Sequence, residues 1–278
     1  MNLQTIKTMF LRFWRSENEK IAILRDVLVA LLAVFIVLLG LWTYTGQWFS
    51  APMVAIESGS MEHPDSGFGR LGVIDAGDMV LVQKVYQQRD LIPYKNAENT
   101  NDANAYTYSN WGDVIIYRPL GRTDASQIIH RCMCWVEVYQ SDDITTYTIT
   151  AYGIHNSTSV TIPELGLYNF PPRRDLAWTN SGYLTKGDNN NVVDQATNIC
   201  PEPVKLEWIS GKARSEIPWI GTINLFFEDI LHGRDTVKNV HQDSLICLAI
   251  VITVLISVPI VWDVHDYLKD KKKTKINP

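Results

Sequence analysis

The chain reads as a mainly β protein, an antiparallel-sheet domain flanked by N- and C-terminal transmembrane helices. Three observations predict this. The runs 27–44 and 244–262 carry no charged side chain and lie at opposite ends of the 278 residues. Each is close to the ~20 residues that an α-helix needs to cross a bilayer. Between them, short apolar stretches alternate with Gly, Asp and Asn turns, the pattern of an antiparallel sheet or a partly open barrel. The apolar content of 46% is ordinary for a globular protein; only its concentration in the two runs is unusual.

In chain order, residues 1–26 form a short basic segment with Lys7, Arg12, Arg15, Lys20 and Arg25 against three acids. Ile6, Met9, Phe10 and Phe13 recur there at helical spacing. An amphipathic helix on a membrane surface and a plain extension of the following span both fit. The run 27–44 starts late, and no small-x-small junction follows it directly, so it reads as an anchor and not a cleaved leader. The run 244–262 is the second span, with Pro259 tolerable near a helix end in lipid. The tail 263–278 carries Lys269, Lys271, Lys272, Lys273 and Lys275 against three acids. Lys and Arg beside membrane spans favour the cytoplasm, so both termini are expected inside and residues 45–243 outside. Trp42, Tyr44 and Trp48 at one boundary and Trp262 and Tyr267 at the other suit interfacial anchors. With five basic and three acidic residues set aside at each end, 45–243 holds 15 basic and 24 acidic residues. That balance excludes the basic footprint of a nucleic-acid binder.

Within 45–243, six strands are expected. Met79 to Val85 follows the Gly77-Asp78 turn, and Val114 to Tyr117 follows Gly112-Asp113. Ile128 to Val138 is the longest, with Ile128, His130, Cys132, Cys134, Val136 and Val138 on one face by period-2 alternation. Tyr147 to Ala151, Tyr183 to Lys186 and Lys205 to Ile209 complete the set. Two polar stretches, 87–110 and 154–179, have the length of functional or partly disordered loops. Four cysteines make no disulfide framework: Cys247 lies in a span, Cys132 and Cys134 are too close along one strand to bridge easily, and Cys-x-Cys alone is no zinc pattern. Asn156-Ser157-Thr158 is a glycosylation sequon.

Three short motifs carry chemistry. Ser58-Gly59-Ser60-Met61 offers two hydroxyls, one able to attack a carbonyl and one to donate to an oxyanion. Ile128-Ile129-His130-Arg131 places an imidazole in an apolar strand, and an imidazole is the base that a serine needs near neutral pH. Gly187-Asp188-Asn189-Asn190 running to Asp194 supplies two carboxylates, either of which can orient that imidazole. An EF-hand is discounted because its closing Glu is missing. Lys84, Lys186 and His63 are rival bases. A lysine base must be desolvated to lose its proton, and the carboxylates beside Lys186 are expected to raise its pKa.

Taken together, Ser-Gly-Ser-Met after an N-terminal span, Gly112-Asp113-Val114-Ile115 before the His130-Arg131 strand, and the Gly-Asp-Asn-Asn box resemble type I signal peptidase. The likeness is to the archaeal and endoplasmic-reticulum branch, with histidine where the bacterial branch has lysine. Gly211-Lys212-Ala213 and Ile217-Pro218-Trp219-Ile220-Gly221 look like that branch's closing segment. The resemblance covers about residues 20 to 262. It implies Ser60 as nucleophile, His130 as general base, and Ser58 with the Ser60 backbone N–H as oxyanion donors. Asp188 and Asp194 match the two acidic positions, with Asp194 favoured as the partner of His130. Glu57 and the Glu62-His63 pair depart from the family pattern.

A membrane-bound serine endopeptidase is therefore expected, removing signal peptides from secreted preproteins after small-x-small sites. Its partners would be signal peptides, the lipid bilayer and the protein-translocation machinery; no metal or organic cofactor is called for. A neutral histidine is the form that takes the proton, so activity should fall below roughly pH 6 to 6.5. The competing readings are a non-catalytic membrane β-domain subunit and a serine-based membrane protease with another target.

Overall fold

The computed structural model describes residues 2–64, 66–141 and 144–276. Of the residues invoked above, Asn277 and Pro278 and the side chains of Ile6, Lys272, Lys273 and Lys275 fall outside this description. The chain divides into two compact units, Met1–Pro52 and Met53–Pro278.

The first unit is helical. Helix α1, Leu3–Trp14, is capped by the Asn2 side chain, and α2 spans Glu19–Thr45. Asn18 caps α2 by accepting from the Lys20 N–H, and Gly46 ends it in the left-handed conformation at φ 69°, where a residue without Cβ is favoured. The cap and the acidic Glu19 in the first turn explain why α2 begins well before the uncharged run. The break at 15–18 makes α1 a helix of its own, not an extension of the span. Along α2, the apolar window is wholly unburied within the protein, and the helix is long and apolar enough to cross a membrane.

The second unit is an antiparallel sheet with a helical finish. Strands β1 (Met53–Ala55), β2 (Met79–Gln83), β5 (Val114–Tyr117), β6 (Ile128–Ser141), β7 (Ile144–Ile149), β8 (Ile154–Ser157), β11 (Gly182–Lys186) and β12 (Ile209–Ile217) form one sheet. Its order is β1-β2-β12-β5-β6-β7-β8, with β11 also on β6. Strand β6 is the organiser. It pairs with β5 through 128–131, with β11 through 131–136 and with β7 through 137–141.

Two expectations about strands are corrected. Residues 205–209 do not form a strand: Leu206–Trp208 is a 3-10 turn and β12 starts only at Ile209. Nor does β6 keep one face throughout. A bulge at Met133 sets Leu184 opposite Cys134 but Thr185 opposite Cys132. An extra residue shifts the alternation, so Cys132 packs with Ile115 and Tyr117 whereas Cys134 and Val136 pack with Tyr147 and Leu184 in a different core cluster.

The polar stretches are also built. Residues 87–110 contain α3 (Tyr94–Thr100) and most of a small hairpin, β3 (Tyr106–Thr107) with β4 (Asn110–Trp111). Residues 154–179 contain β8 and a second hairpin, β9 (Val160–Ile162) with β10 (Leu167–Phe170). Trp178 is wholly buried there, stacked on Phe170 at 4.3 Å and edge-on to Tyr147 at 5.3 Å. A few large apolar side chains, each worth roughly 1.5–3 kcal/mol when buried, are enough to order a stretch that looks polar on average.

After β12 come α4 (Gly221–His232) and α5 (Gln242–Ile276), whose segment Gln242–Lys269 is the second helix long and apolar enough to cross a membrane.

Candidate active site

The serine loop is held by the side chains at its two ends. Ile56 and Met61 are buried in the cluster formed by Ile74, Val80, Val114 and Ile116, so Ser58 and Ser60 ride on a short loop pinned at both sides. Ser58 Oγ and Ser60 Oγ lie 3.4 Å apart. Among the described residues, the Ser60 N–H donates to no protein acceptor.

The Gly187–Asn190 turn docks directly on this loop. The Asn189 N–H donates to Ser60 O at 3.0 Å, and Asn189 Nδ2 donates to Gly59 O at 3.1 Å. Gly187 is required by close approach: a Cβ there would sit 2.5 Å from Ser60 O and 3.0 Å from His130 Nε2. Real side chains do not tolerate the first distance, so the serine backbone and the free imidazole nitrogen face each other across the bare Cα.

His130 projects from β6, opposite Ile115 of β5, and is buried. Its Nδ1 lies 2.7 Å from Asp194 Oδ2. The same oxygen accepts from Tyr117 Oη and from Thr185 Oγ1, each at 2.7 Å. Asp194 is fully buried; three close donors crowd its Oδ2, while Oδ1 meets no partner among the described residues. Burial, then the Asp194 charge, push the Tyr117 phenol well above its usual value, which keeps it a donor. An imidazole bound through Nδ1 to a carboxylate presents Nε2 as the proton acceptor.

Asp188, the other carboxylate, faces elsewhere. Arg131, with no exposed surface, grips it with Nε at 2.7 Å and Nη2 at 2.6 Å. His63 Nε2 is 3.0 Å from the same carboxylate. Arg131 Nη1 also donates to Gly112 O at 2.7 Å and Trp111 O at 3.1 Å. Burial pushes Asp188 up, but the Arg131 fork and His63 outweigh it and hold the carboxyl below its usual range. Asp188 is thus tied to the framework of the turn while Asp194 touches the imidazole.

The rivals for the base are placed as follows. His63 is engaged by Asp188. Lys84 follows β2 and Lys186 closes β11; neither is among the residues lining the cleft that holds Ser60 and His130. The expectation for Lys186 is overturned: burial lowers its pKa, and the nearby Asp188 charge does not make up the difference. Its ammonium donates to Asn190 O at 2.9 Å, which steadies the turn. Burial raises the thiols of Cys132, Cys134 and Cys200, leaving them poor nucleophiles.

Ser58, Ser60, His130 and Asn190 open into one cleft of about 690 Å³. Its apolar wall includes Val54, Ala55, Ile116 and Ile129, and its polar rim includes Asn224 and Glu228 of α4. Tyr117, Thr185 and the Arg131 fork were not among the sequence candidates. Arg131 had a signal, as a charge in the middle of an apolar strand; Thr185 and Tyr117 had none, because their role depends on which strands become neighbours.

Glu62, beside the serine loop, begins a charged network that runs through Arg70 to Asp75. Glu62 packs against Gly59 and lies 3.0 Å from His241 Nε2. Arg70 lies 3.4 Å from Asp75, and Ser244 of α5 lies within 3.4 Å of the same carboxylate. Burial, then Asp78, raise Asp75 to about 8 despite Arg70, and burial raises Glu216 to about 7. A carboxyl whose folded pKa exceeds its unfolded value binds more protons in the native state, so stability falls as pH rises between the two values. For Asp75 that window runs from about 4 to about 8. The thermal midpoint in detergent is expected to be several degrees higher at pH 5 than at pH 8, with Asp75→Asn flattening the difference. An equal or higher midpoint at pH 8 would contradict the assignment.

No protein-family model matches the chain, and no curated protein is significantly similar to it.

Proposed function

We propose that the chain is a membrane-anchored serine endopeptidase that removes signal peptides from secretory preproteins after small-x-small sites. One observation carries this reading: a single cleft holds two serine hydroxyls and an imidazole whose far nitrogen is 2.7 Å from a buried carboxylate. The resemblance to type I signal peptidase supplies the substrate class.

In this mechanism the Ser60 hydroxyl attacks the scissile carbonyl carbon and gives its proton to His130 Nε2. Asp194 stabilises the resulting imidazolium. The Ser58 hydroxyl and the Ser60 N–H donate to the carbonyl oxygen as it becomes negative. The tetrahedral intermediate collapses and expels the mature chain's amino group, which takes the proton from His130. A water molecule then attacks the ester, gives a proton to His130, and releases the signal peptide as Ser60 regains its hydrogen. Ser60 Oγ is hydrogen-bonded to Ser58 Oγ in the free protein, so it turns toward Nε2 as substrate enters, a tightening common in such sites. Isoleucine and alanine side chains in the cleft wall suit small apolar groups on the substrate. The basic flanks favour the cytoplasm for both termini; in this reading the sheet domain lies outside it, where signal peptides emerge from the translocation machinery.

The test is incubation of the detergent-solubilised chain with a preprotein bearing a small-x-small site, followed by sequencing of the product's new amino terminus. One cut after the second small residue is expected, lost when that residue is made bulky. A well-folded chain that leaves the preprotein intact would sink the reading.

A further inference from the structure

Helix α4 packs on the sheet domain by one side only. Thr222 and Leu225 are buried, and Leu225 shares a small core cluster with Ala76 and Val240. The opposite side is apolar and bare: Ile223, Phe226, Phe227, Ile230 and Leu231 are 39–73% exposed. Helical spacing puts these five on one continuous stripe. A soluble surface rarely carries such a patch without something to cover it.

The position of this stripe says what covers it. Val240, the neighbour of Leu225, lies two residues before α5 begins at Gln242. The first turn of α5 is fastened to the same domain, since Asp243 Oδ2 accepts from the Gly69 N–H at 2.9 Å and Ser244 lies within 3.4 Å of Asp75. The bilayer that receives α5 therefore begins beside α4. Two more apolar side chains, Phe68 and Leu71, stand 72% and 64% exposed on the loop tied to Asp243. They flank Gly69, where an added Cβ would come within 3.1 Å of Cys247 Sγ in α5. Two separate segments thus turn bare apolar groups outward around the root of one span.

We infer that α4 is an interfacial membrane helix, lying with Phe226, Phe227, Ile230 and Leu231 in the headgroup and acyl boundary, with Phe68 and Leu71 beside the root of α5. An amphipathic helix gains from this in proportion to the apolar area it buries in lipid. Asn224 and Glu228, on the flank of the same helix, rim the cleft of Ser60 and His130. The cleft consequently opens at the bilayer surface, and its substrate arrives along that surface. The lipid contact stands on the helix alone; the consequence for substrate delivery rests on the proteolytic reading above.

The experiment uses the full chain in phospholipid nanodiscs. A nitroxide is attached at Phe227→Cys or Leu231→Cys in a Cys247→Ser background, and at Tyr168→Cys, an exposed site on β10, as a control. Collision rates with oxygen and with a water-soluble nickel chelate are then compared. Both α4 labels are expected to favour oxygen over nickel, and the Tyr168 label nickel over oxygen. Nickel-accessible α4 labels would overturn the inference, as would labels shielded from both reagents, which would mean a second copy or another protein covers the stripe. Separately, Phe226→Ser with Phe227→Ser should slow cutting of a preprotein embedded in proteoliposomes by about tenfold, since two large apolar groups leave the lipid. Cutting of a short peptide in detergent should be unchanged, which also certifies the fold. Equal slowing of both substrates would overturn the delivery role and leave the labels to judge the lipid contact. Loss of all cutting by the parent would count against the protease reading only.

Discussion

Alanine in place of Ser60 or of His130 is expected to lower kcat for preprotein cleavage by about 10⁶-fold, with the double variant no slower than either single one. The serine and the imidazole act as one unit: without the base the hydroxyl keeps its proton, and without the hydroxyl the base has nothing to activate. Asp194→Ala should cost less, about 10⁴-fold, because the imidazole and the oxyanion donors remain. It should also lower the thermal midpoint. Asp194 Oδ2 is the shared acceptor of His130, Tyr117 and Thr185, each at 2.7 Å, and the substitution leaves buried donors without an acceptor. Asp188→Ala tests the contrast, since Asp188 meets Arg131 and His63 rather than the base. Steady-state rates on a peptide substrate, with circular dichroism to show that each variant is folded, read the series. Near-parent rates in folded His130→Ala would remove the histidine from its role and make Lys186, with its lowered pKa, the next base to test.

Arg131→Met is expected to be the most destabilising single change around the site, by about 3–5 kcal/mol. Arg131 is fully buried, and its guanidinium binds both oxygens of Asp188 as well as the Gly112 and Trp111 carbonyls. Methionine fills much of the volume but leaves a buried carboxylate that keeps, among the described residues, the His63 hydrogen bond alone. Arg131→Lys should rescue little, because an ammonium cannot reproduce the planar fork. Adding Asp188→Asn to Arg131→Met should recover part of the loss, since the unpaired charge is gone. The pH dependence has a definite sign. Asp188 is held below its usual range in the folded chain, so its contribution is present above the unfolded value near 4 and fades as pH falls through the folded one. The deficit of Arg131→Met should therefore shrink under strongly acid conditions, where the carboxyl is neutral in both states. A drop of less than about 1 kcal/mol at neutral pH would show that this fork does not carry the turn.

Much of the architecture was legible in the residues because its causes are local. Absence of charge over the length of a bilayer marks the two long helices without any reference to neighbours. An apolar run directly after the Gly77-Asp78 and Gly112-Asp113 turns marks β2 and β5, since turn chemistry and apolar content are properties of a few consecutive residues. Ser58, Ser60, His130 and the two aspartates were visible as chemical types in a suggestive order. Residues 205–209 misled for the same reason: an apolar-looking stretch has no local sign that its first residues turn and only Ile209 joins the sheet.

What the tertiary structure decided is everything that depends on partners far along the chain. Asp188 and Asp194 are both acids near one turn; only the pairing of β5, β6 and β11 puts Tyr117, His130 and Thr185 around one of them and Arg131 beside the other. Lys186 sits among carboxylates, yet its burial outweighs their charge. The stretch 154–179 reads as polar, yet Trp178 finds Tyr147 and Phe170 to pack on. Helix α4 shows its apolar residues in the sequence, but which of them face the sheet and which face outward is set by Val240 and Leu225 meeting beside α5. Local pattern marks the elements whose causes lie in consecutive residues; solvent exclusion by distant segments sets the proton affinity, the partner and the exposed face of each side chain.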